Sequence, residues 1–217
     1  NSLRDAVHFL SQALEKSSEV DELRIQGESQ EKVADELCKS LIKSAKLTRD
    51  QNAKNSLDSA TKARQIFRKN FESRKFSKLE VEIELEVGLS LLKLKEIDKA
   101  KHHFELAFEI ASSSSDQEKL YMAQQAFKAL LQIGECHKIS DATDDFESTL
   151  NKARRFAVVN SLHSSEGDVL VTLGKFWTEK NHQEKALNYL NKAVEIFKKS
   201  GEVSKLRHVR CLAAVPM

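Results

Sequence analysis

His102 and His103 stand side by side, Cys136 and His137 do the same, and Glu80, Glu82, Glu84 and Glu86 alternate with apolar residues in "KLEVEIELEVGLSLLKL". Imidazoles, thiolates and carboxylates hold metal ions or move protons when they converge. Neighbours on a helix point about 100° apart, so neither adjacent pair chelates one ion unaided. His102 and His103 read as surface histidines and His137 as a partly buried one. The chain has no glycine-rich phosphate loop, no His-Glu-x-x-His and no nucleophile elbow. The reading is of a non-enzyme with no catalytic, metal-binding or cofactor-binding residues.

One stretch has chemistry of a different kind. Between Lys62 and Lys78, seven cations (Lys62, Arg64, Arg68, Lys69, Arg74, Lys75 and Lys78) face Glu72 alone, with Phe67, Phe71 and Phe76 interleaved. Basic residues among aromatics suit an acidic protein surface or a single-stranded nucleic acid. The alternative is a solvated helix end whose phenylalanines pack inside the fold. The glutamates that follow at once can neutralise the cluster.

The elements that position these groups are helical. One Pro and six Gly among 217 residues leave few breakers, and the charged 31% nearly cancels to a formal +2. Whole-chain charge therefore favours neither nucleic acid nor a membrane surface, and no apolar run reaches the ~20 residues of a membrane span. Three scattered cysteines (Cys38, Cys136, Cys211) make neither a disulfide framework nor a zinc knuckle, and read as reduced thiols of a cytoplasmic chain. The first residue is Asn1 rather than Met, which reads as a fragment of a longer chain.

The alternation from Leu79 to Val87 has the period of a half-buried strand. Placed on a helix, Val81, Leu85, Gly88 and Leu92 form one stripe, and Ile83, Val87, Leu91 and Leu94 another roughly opposite. A helix buried on two sides explains both, and helix is the reading adopted. Glu84 then falls where an apolar residue belongs. It must reach a cation, for which the 62–78 segment is the source, or reach solvent at a helix end.

A grid of small residues recurs. Leu170, Leu173, Gly174 and Trp177 precede Ala186, Leu190 and Ala193, and Val87, Gly88 and Leu91 precede Ala100, Phe104 and Ala107 at the same separations. Weaker copies hold Leu130, Ile133, Gly134, His137, Phe146, Leu150 and Ala153, and Ser44, Leu47, Ser56, Ala60 and Ala63. Ala6, Leu10 and Ala13 look like the second helix of a truncated copy. With these residues the chain resembles the tetratricopeptide-repeat superfamily. The last alanines (Ala13, Ala63, Ala107, Ala153, Ala193) lie 50, 44, 46 and 40 residues apart, against about 34 in the usual repeat. That resembles the long-repeat branch, which includes polarity adaptors, rapsyn-like proteins, kinesin light chains and ciliary proteins. A less regular array of the α-SNAP type remains open.

The resemblance implies an all-α, right-handed superhelical array of antiparallel helix pairs, about ten helices in one domain. Helices are expected near 2–17, 29–50, 53–70, 77–95, 97–113, 117–138, 141–159, 164–180, 183–199 and 202–213. These give a partial repeat (1–17), a linker (18–28), repeats at 29–70, 77–113, 117–159 and 164–199, and a capping helix at 202–213. Ser112–Ser115 with Asp116 reads as a stop followed by an N-cap.

In this superfamily the first helix of each pair lines a concave groove. Its positions correspond to Leu41, Ile42, Ala45, Leu85, Leu89, Leu92, Leu131 and Glu135, then Val171, Thr172 and Lys175, with Glu82, Glu86, Lys128 and Gln132 at the margin. Chaperone-binding members grip a carboxylate with a Lys/Asn/Arg clamp. Leu, Ala and Glu occupy those positions here, so that activity is not implied. An apolar groove suits an inserted helix or peptide. The resemblance therefore implies an adaptor for a protein or peptide partner, with neither nucleic acid nor membrane insertion. Two other readings stand beside it: a component docking on a microtubule-like or axonemal polymer through residues 62–78, located at the cytoskeleton or cilium, and a regulatory sensing domain of a larger protein.

Overall fold

In a computed structural model, residues 2–19, 25–71, 77–113 and 119–214 are described. They form α1 (Ser2–Glu19), α2 (Ile25–Thr48), α3 (Ala53–Asn70), α4 (Ser77–Lys93), α5 (Ile97–Ser112), α6 (Lys119–Ile139), α7 (Thr143–Val159), α8 (His163–Glu179), α9 (Gln183–Ser200) and α10 (Val203–Ala214), with no strand among the described residues. The chain is all-α, as the sequence implies. α2 begins at Ile25, so Gly27 lies within it rather than in a linker. The expected N-cap at Asp116 lies outside the described residues.

The helices pack into two compact units, Asn1–Ala129 and Leu130–Met217, divided within α6. In the first, α1 packs on α2, α2 on α3, α3 on α4, α4 on α5, and α2 also on α4. In the second, α7 packs on α8, α8 on α9 and α9 on α10. α10 closes that core with Val209, packed beside Leu170, Leu190, Ala193 and Phe197.

The grid explains the pairing. Four helices bury residues at the same 4-3-4 spacing: Ser56, Ala60, Ala63 and Phe67 on α3; Ala100, Phe104, Ala107 and Ala111 on α5; Phe146, Leu150, Ala153 and Ala157 on α7; Ala186, Leu190, Ala193 and Phe197 on α9. One face of each helix is thereby small enough for close approach and large enough elsewhere to fill the gap. On the facing helix, a Cβ added at Gly88 would lie 2.6 Å from the Phe104 ring. Gly134 and Gly174 stand in the same relation to Leu150 and Leu190.

The connectors repeat too. After α4, Lys95 lies in the left-handed region (φ 64°), its N–H donating to Leu92 O and that of Glu96 to Leu91 O, both at 3.0 Å. These two bonds satisfy carbonyls that the helix end would otherwise leave open. Asp141, Ser161 and Asn181 hold the same conformation after α6, α7 and α8, and Gly201 holds it after α9. No helix among the described residues is long and apolar enough to cross a membrane.

Candidate functional site

α4 is the most enclosed helix of the first unit. Leu79, Val81, Ile83, Leu85, Val87 and Leu91 are all buried, on more than one side, as the two-stripe reading requires. Its carboxylates are claimed by neighbouring helices. Arg64 Nε on α3 donates to Glu84 Oε1 at 2.6 Å, and His103 on α5 meets Glu84 Oε2 at 2.5 Å. Burial drives the Glu84 carboxyl upward, but the hydrogen bonds from His103 and Arg64 outweigh it and hold the group below its ordinary 4.5. Glu84 is thus ionised at neutral pH, which makes His103 Nδ1 the donor. The cation comes from the 62–78 segment. His103 is largely buried on this contact rather than a surface histidine, and His102 is exposed.

Glu82 and Glu86 lie on the other side of α4. Arg49, in the turn after α2, donates to both oxygens of Glu86, at 2.8 and 3.0 Å. Burial still raises the Glu86 carboxyl above 4.5 against the pull of Arg49 and Lys46. Tyr121 on α6 donates to Glu82 Oε1 at 2.6 Å, and Lys46 meets Glu82 Oε2 at 3.4 Å. Beneath them a buried Ser56–Ser90 pair, 2.7 Å apart, joins α3 to α4, and Ser56 donates to Ala45 O. Glu86, read as a groove margin, is interior.

The groove positions divide. Leu41, Ile42, Ala45 and Leu85 are buried in the first unit, while Leu89 and Leu92 are half-buried. In the second unit Leu131 and Val171 are half-buried and Glu135, Thr172 and Lys175 are exposed. The basic cluster divides as well. Arg64 serves Glu84, Lys78 sits 4.4 Å above the Tyr121 ring, and Lys62, Arg68 and Lys69 are exposed. Arg74, Lys75 and Phe76 lie outside the described residues. Phe67 is buried and stacks on Phe71 at 5.3 Å.

Lys205 Nζ lies 2.5 Å from Ser164 Oγ and 2.7 Å from Asp168 Oδ2. A serine beside a lysine is a nucleophile only if the amine is neutral. Burial pulls the Lys205 ammonium down, yet Asp168 and Glu202 keep it above its ordinary 10.5, so it is charged and cannot take the Ser164 proton. Among the described residues no group of three His, Cys, Asp or Glu is placed to hold a metal ion.

The first unit holds an open cleft of about 500 Å³, within the size range of ligand pockets. Its walls are Arg4, Val7 and Ser11 on α1, Leu41, Ser44 and Thr48 on α2, and Asn55, Asp58, Ser59, Lys62, Gln65 and Ile66 on α3. Leu41 from the groove set and Lys62 from the basic cluster meet here. The sequence did not single out Arg4, Val7 or Asp58. Their only signal is that α1 docks on α2, which places the first turns of α1 opposite α3.

These features define a TPR-like helical-repeat fold. No protein-family model and no curated protein matches the chain. Solved structures share its fold at low sequence identity. The aspartyl phosphate phosphatase F of Bacillus subtilis superposes with a TM-score of 0.66 at 18% identity, over 85% of this chain and 48% of that one. The Rap conjugation gene regulator of plasmid pLS20, in complex with a Phr peptide, gives 0.59 at 15%, over 89% and 56%. A Rap protein complexed with competence and sporulation factor gives 0.59 at 15%, over 96% and 54%. The chain spans about half the length of these structures. BtubC (BKLC) from P. vanneervenii gives 0.58 at 12%, over 98% of this chain and 90% of that one.

Proposed function

We propose that the chain is a non-catalytic protein-interaction module that holds a peptide segment of a partner. The observation that carries this reading is the cleft between α1, α2 and α3. It is open, its floor is apolar (Val7, Leu41, Ile66), and its walls carry hydrogen-bonding side chains. Apolar floors with a few convergent polar groups are the usual make-up of a recognition site. A solved structure of the same fold, the pLS20 regulator in complex with a Phr peptide, supports a peptide as the ligand class. Leu89 and Leu92 on α4, and Leu131, Glu135, Thr172 and Lys175 in the second unit, are the further positions we assign to partner contact. Ile42, Ala45 and Leu85 belong to the interior.

Panning the protein against a random heptapeptide library tests this. Enriched peptides should bind the parent and lose at least tenfold in affinity to Ile66→Glu, whose helicity by circular dichroism should match the parent. Failure to enrich any peptide removes the reading. Equal binding to the folded Ile66→Glu protein removes the cleft from it.

A further inference from the structure

We infer that the α1–α2–α3 cleft selects peptides bearing carboxylates, an inference that rests on the peptide-binding reading above. Two cations stand on its opposite walls, Arg4 on α1 and Lys62 on α3. Neither has an ion-pair partner among the described residues, whereas Arg49 after α2 and Arg64 on α3 are committed to Glu86 and Glu84. Lys54, Asp58, Lys62, Gln65 and Lys69 follow one another at spacings of four, four, three and four, so they share a face of α3. That face carries three cations against one carboxylate, and the exposed Arg68 adds a fourth beside it. An acidic ligand is steered toward such a stripe.

Three hydroxyls of the lining suit the main chain of a peptide. Ser11 Oγ donates to Val7 O at 2.7 Å, Thr48 Oγ1 to Ser44 O at 2.9 Å and Ser59 Oγ to Asn55 O at 3.0 Å. Each has spent its proton on its own helix and presents lone pairs to the cleft. Together with the Asp58 carboxylate they accept hydrogen bonds, as from peptide N–H groups. Among the described residues of the lining there is no aromatic ring on which a base could stack. Cations for side-chain carboxylates, acceptors for main-chain N–H and the apolar floor make a consistent set for an acidic peptide.

The test uses the same heptapeptide selection with two additional arms. The first is the double charge reversal Arg4→Glu with Lys62→Glu. Both residues are exposed, so the fold should persist, and circular dichroism checks it. The second is a labelled single-stranded oligonucleotide titrated against the parent. Enriched peptides should be rich in Asp and Glu, should weaken at least tenfold on the double variant, and should weaken several-fold as salt rises from 50 to 300 mM. Acidic peptides that bind the double variant as they bind the parent overturn the inference. Neutral or basic peptides also overturn it while leaving the peptide-binding reading intact, and no enrichment at all removes both. An oligonucleotide that binds and displaces the peptide overturns it in favour of nucleic acid.

Discussion

Arg64 Nε and Glu84 Oε1 meet at 2.6 Å across the α3–α4 contact, with the Glu84 side chain only 4% exposed. The second oxygen of Glu84 accepts a hydrogen bond from His103 Nδ1 on α5, so one carboxylate binds three consecutive helices. A buried charge is tolerated when its partners return what desolvation costs. Removal of one partner leaves that cost uncompensated, and Arg64→Ala should destabilise by roughly 2–4 kcal/mol. Replacing the pair with Arg64→Leu and Glu84→Leu should recover most of the loss, because packed leucines need no compensation. Urea denaturation of the three proteins measures both effects. An Arg64→Ala protein that unfolds with the parent, or a double variant weaker than either single one, contradicts this account.

Glu84 and Glu86 should have opposite pH signatures. The folded-state value of Glu84 lies below the ordinary 4.5, so the stability it contributes is full above 4.5 and is lost as pH falls through the lowered value. Burial moves Glu86 the other way, so its contribution is full below 4.5 and is lost as pH rises through the raised value. Urea titrations between about pH 3 and 6 should therefore show the cost of Glu84→Gln shrinking toward acid. The cost of Glu86→Gln should shrink toward neutrality. If the two differences slope the same way, one of the two environments is misassigned.

Much of this layer was legible in the sequence. The grid of Ala100, Ala107, Ala186 and Ala193 decided for helix over the period-two signal of α4, and a carboxylate at an apolar grid position called for a nearby cation or an exit to solvent. Residue spacing could not say which side of α4 faced which neighbour. The groove assignment also included Ile42, Ala45 and Leu85, which helix packing buries. His103 looked like a surface histidine because its partner lies 19 residues away on another helix. The cleft depends on where α1 docks, and nothing within α1 encodes that.

The connectors were illegible for another reason. Left-handed turns are usually marked by glycine, but here Lys95, Asp141 and Ser161 take that conformation with a Cβ. A left-handed L-residue costs roughly 1–2 kcal/mol, and a glycine costs roughly 0.4–1 kcal/mol in added unfolded-state entropy. Lys95→Gly and Ser161→Gly should each gain up to about 1 kcal/mol, raising Tm by about 2–4 °C in a chain of this size. Lys95→Ala should gain nothing. Thermal melts in which the glycine variants fall below the parent would show that these side chains stabilise their turns by contacts.

Gly88 and Gly201 separate two reasons for having no side chain. Gly201 sits at φ 71° in open space, with nothing within 4 Å of an added Cβ, so Gly201→Ala should cost only the conformational penalty, about 1 kcal/mol. Gly88 has ordinary helical dihedrals, and its constraint is the Phe104 ring, 2.6 Å from where the methyl would be. Gly88→Ala should therefore gain in helix propensity yet lose roughly 1–3 kcal/mol net through overpacking. Trimming the ring should relieve the clash, so that Gly88→Ala with Phe104→Leu is less destabilised than the two single changes predict together. A double-mutant cycle reads this as a favourable coupling. No equivalent partner exists for Gly201→Ala, since its penalty lies in the backbone itself. Additive energies at Gly88 and Phe104 would mean that the α4–α5 contact is looser than the glycine implies, and the repeat grid would lose its packing rationale.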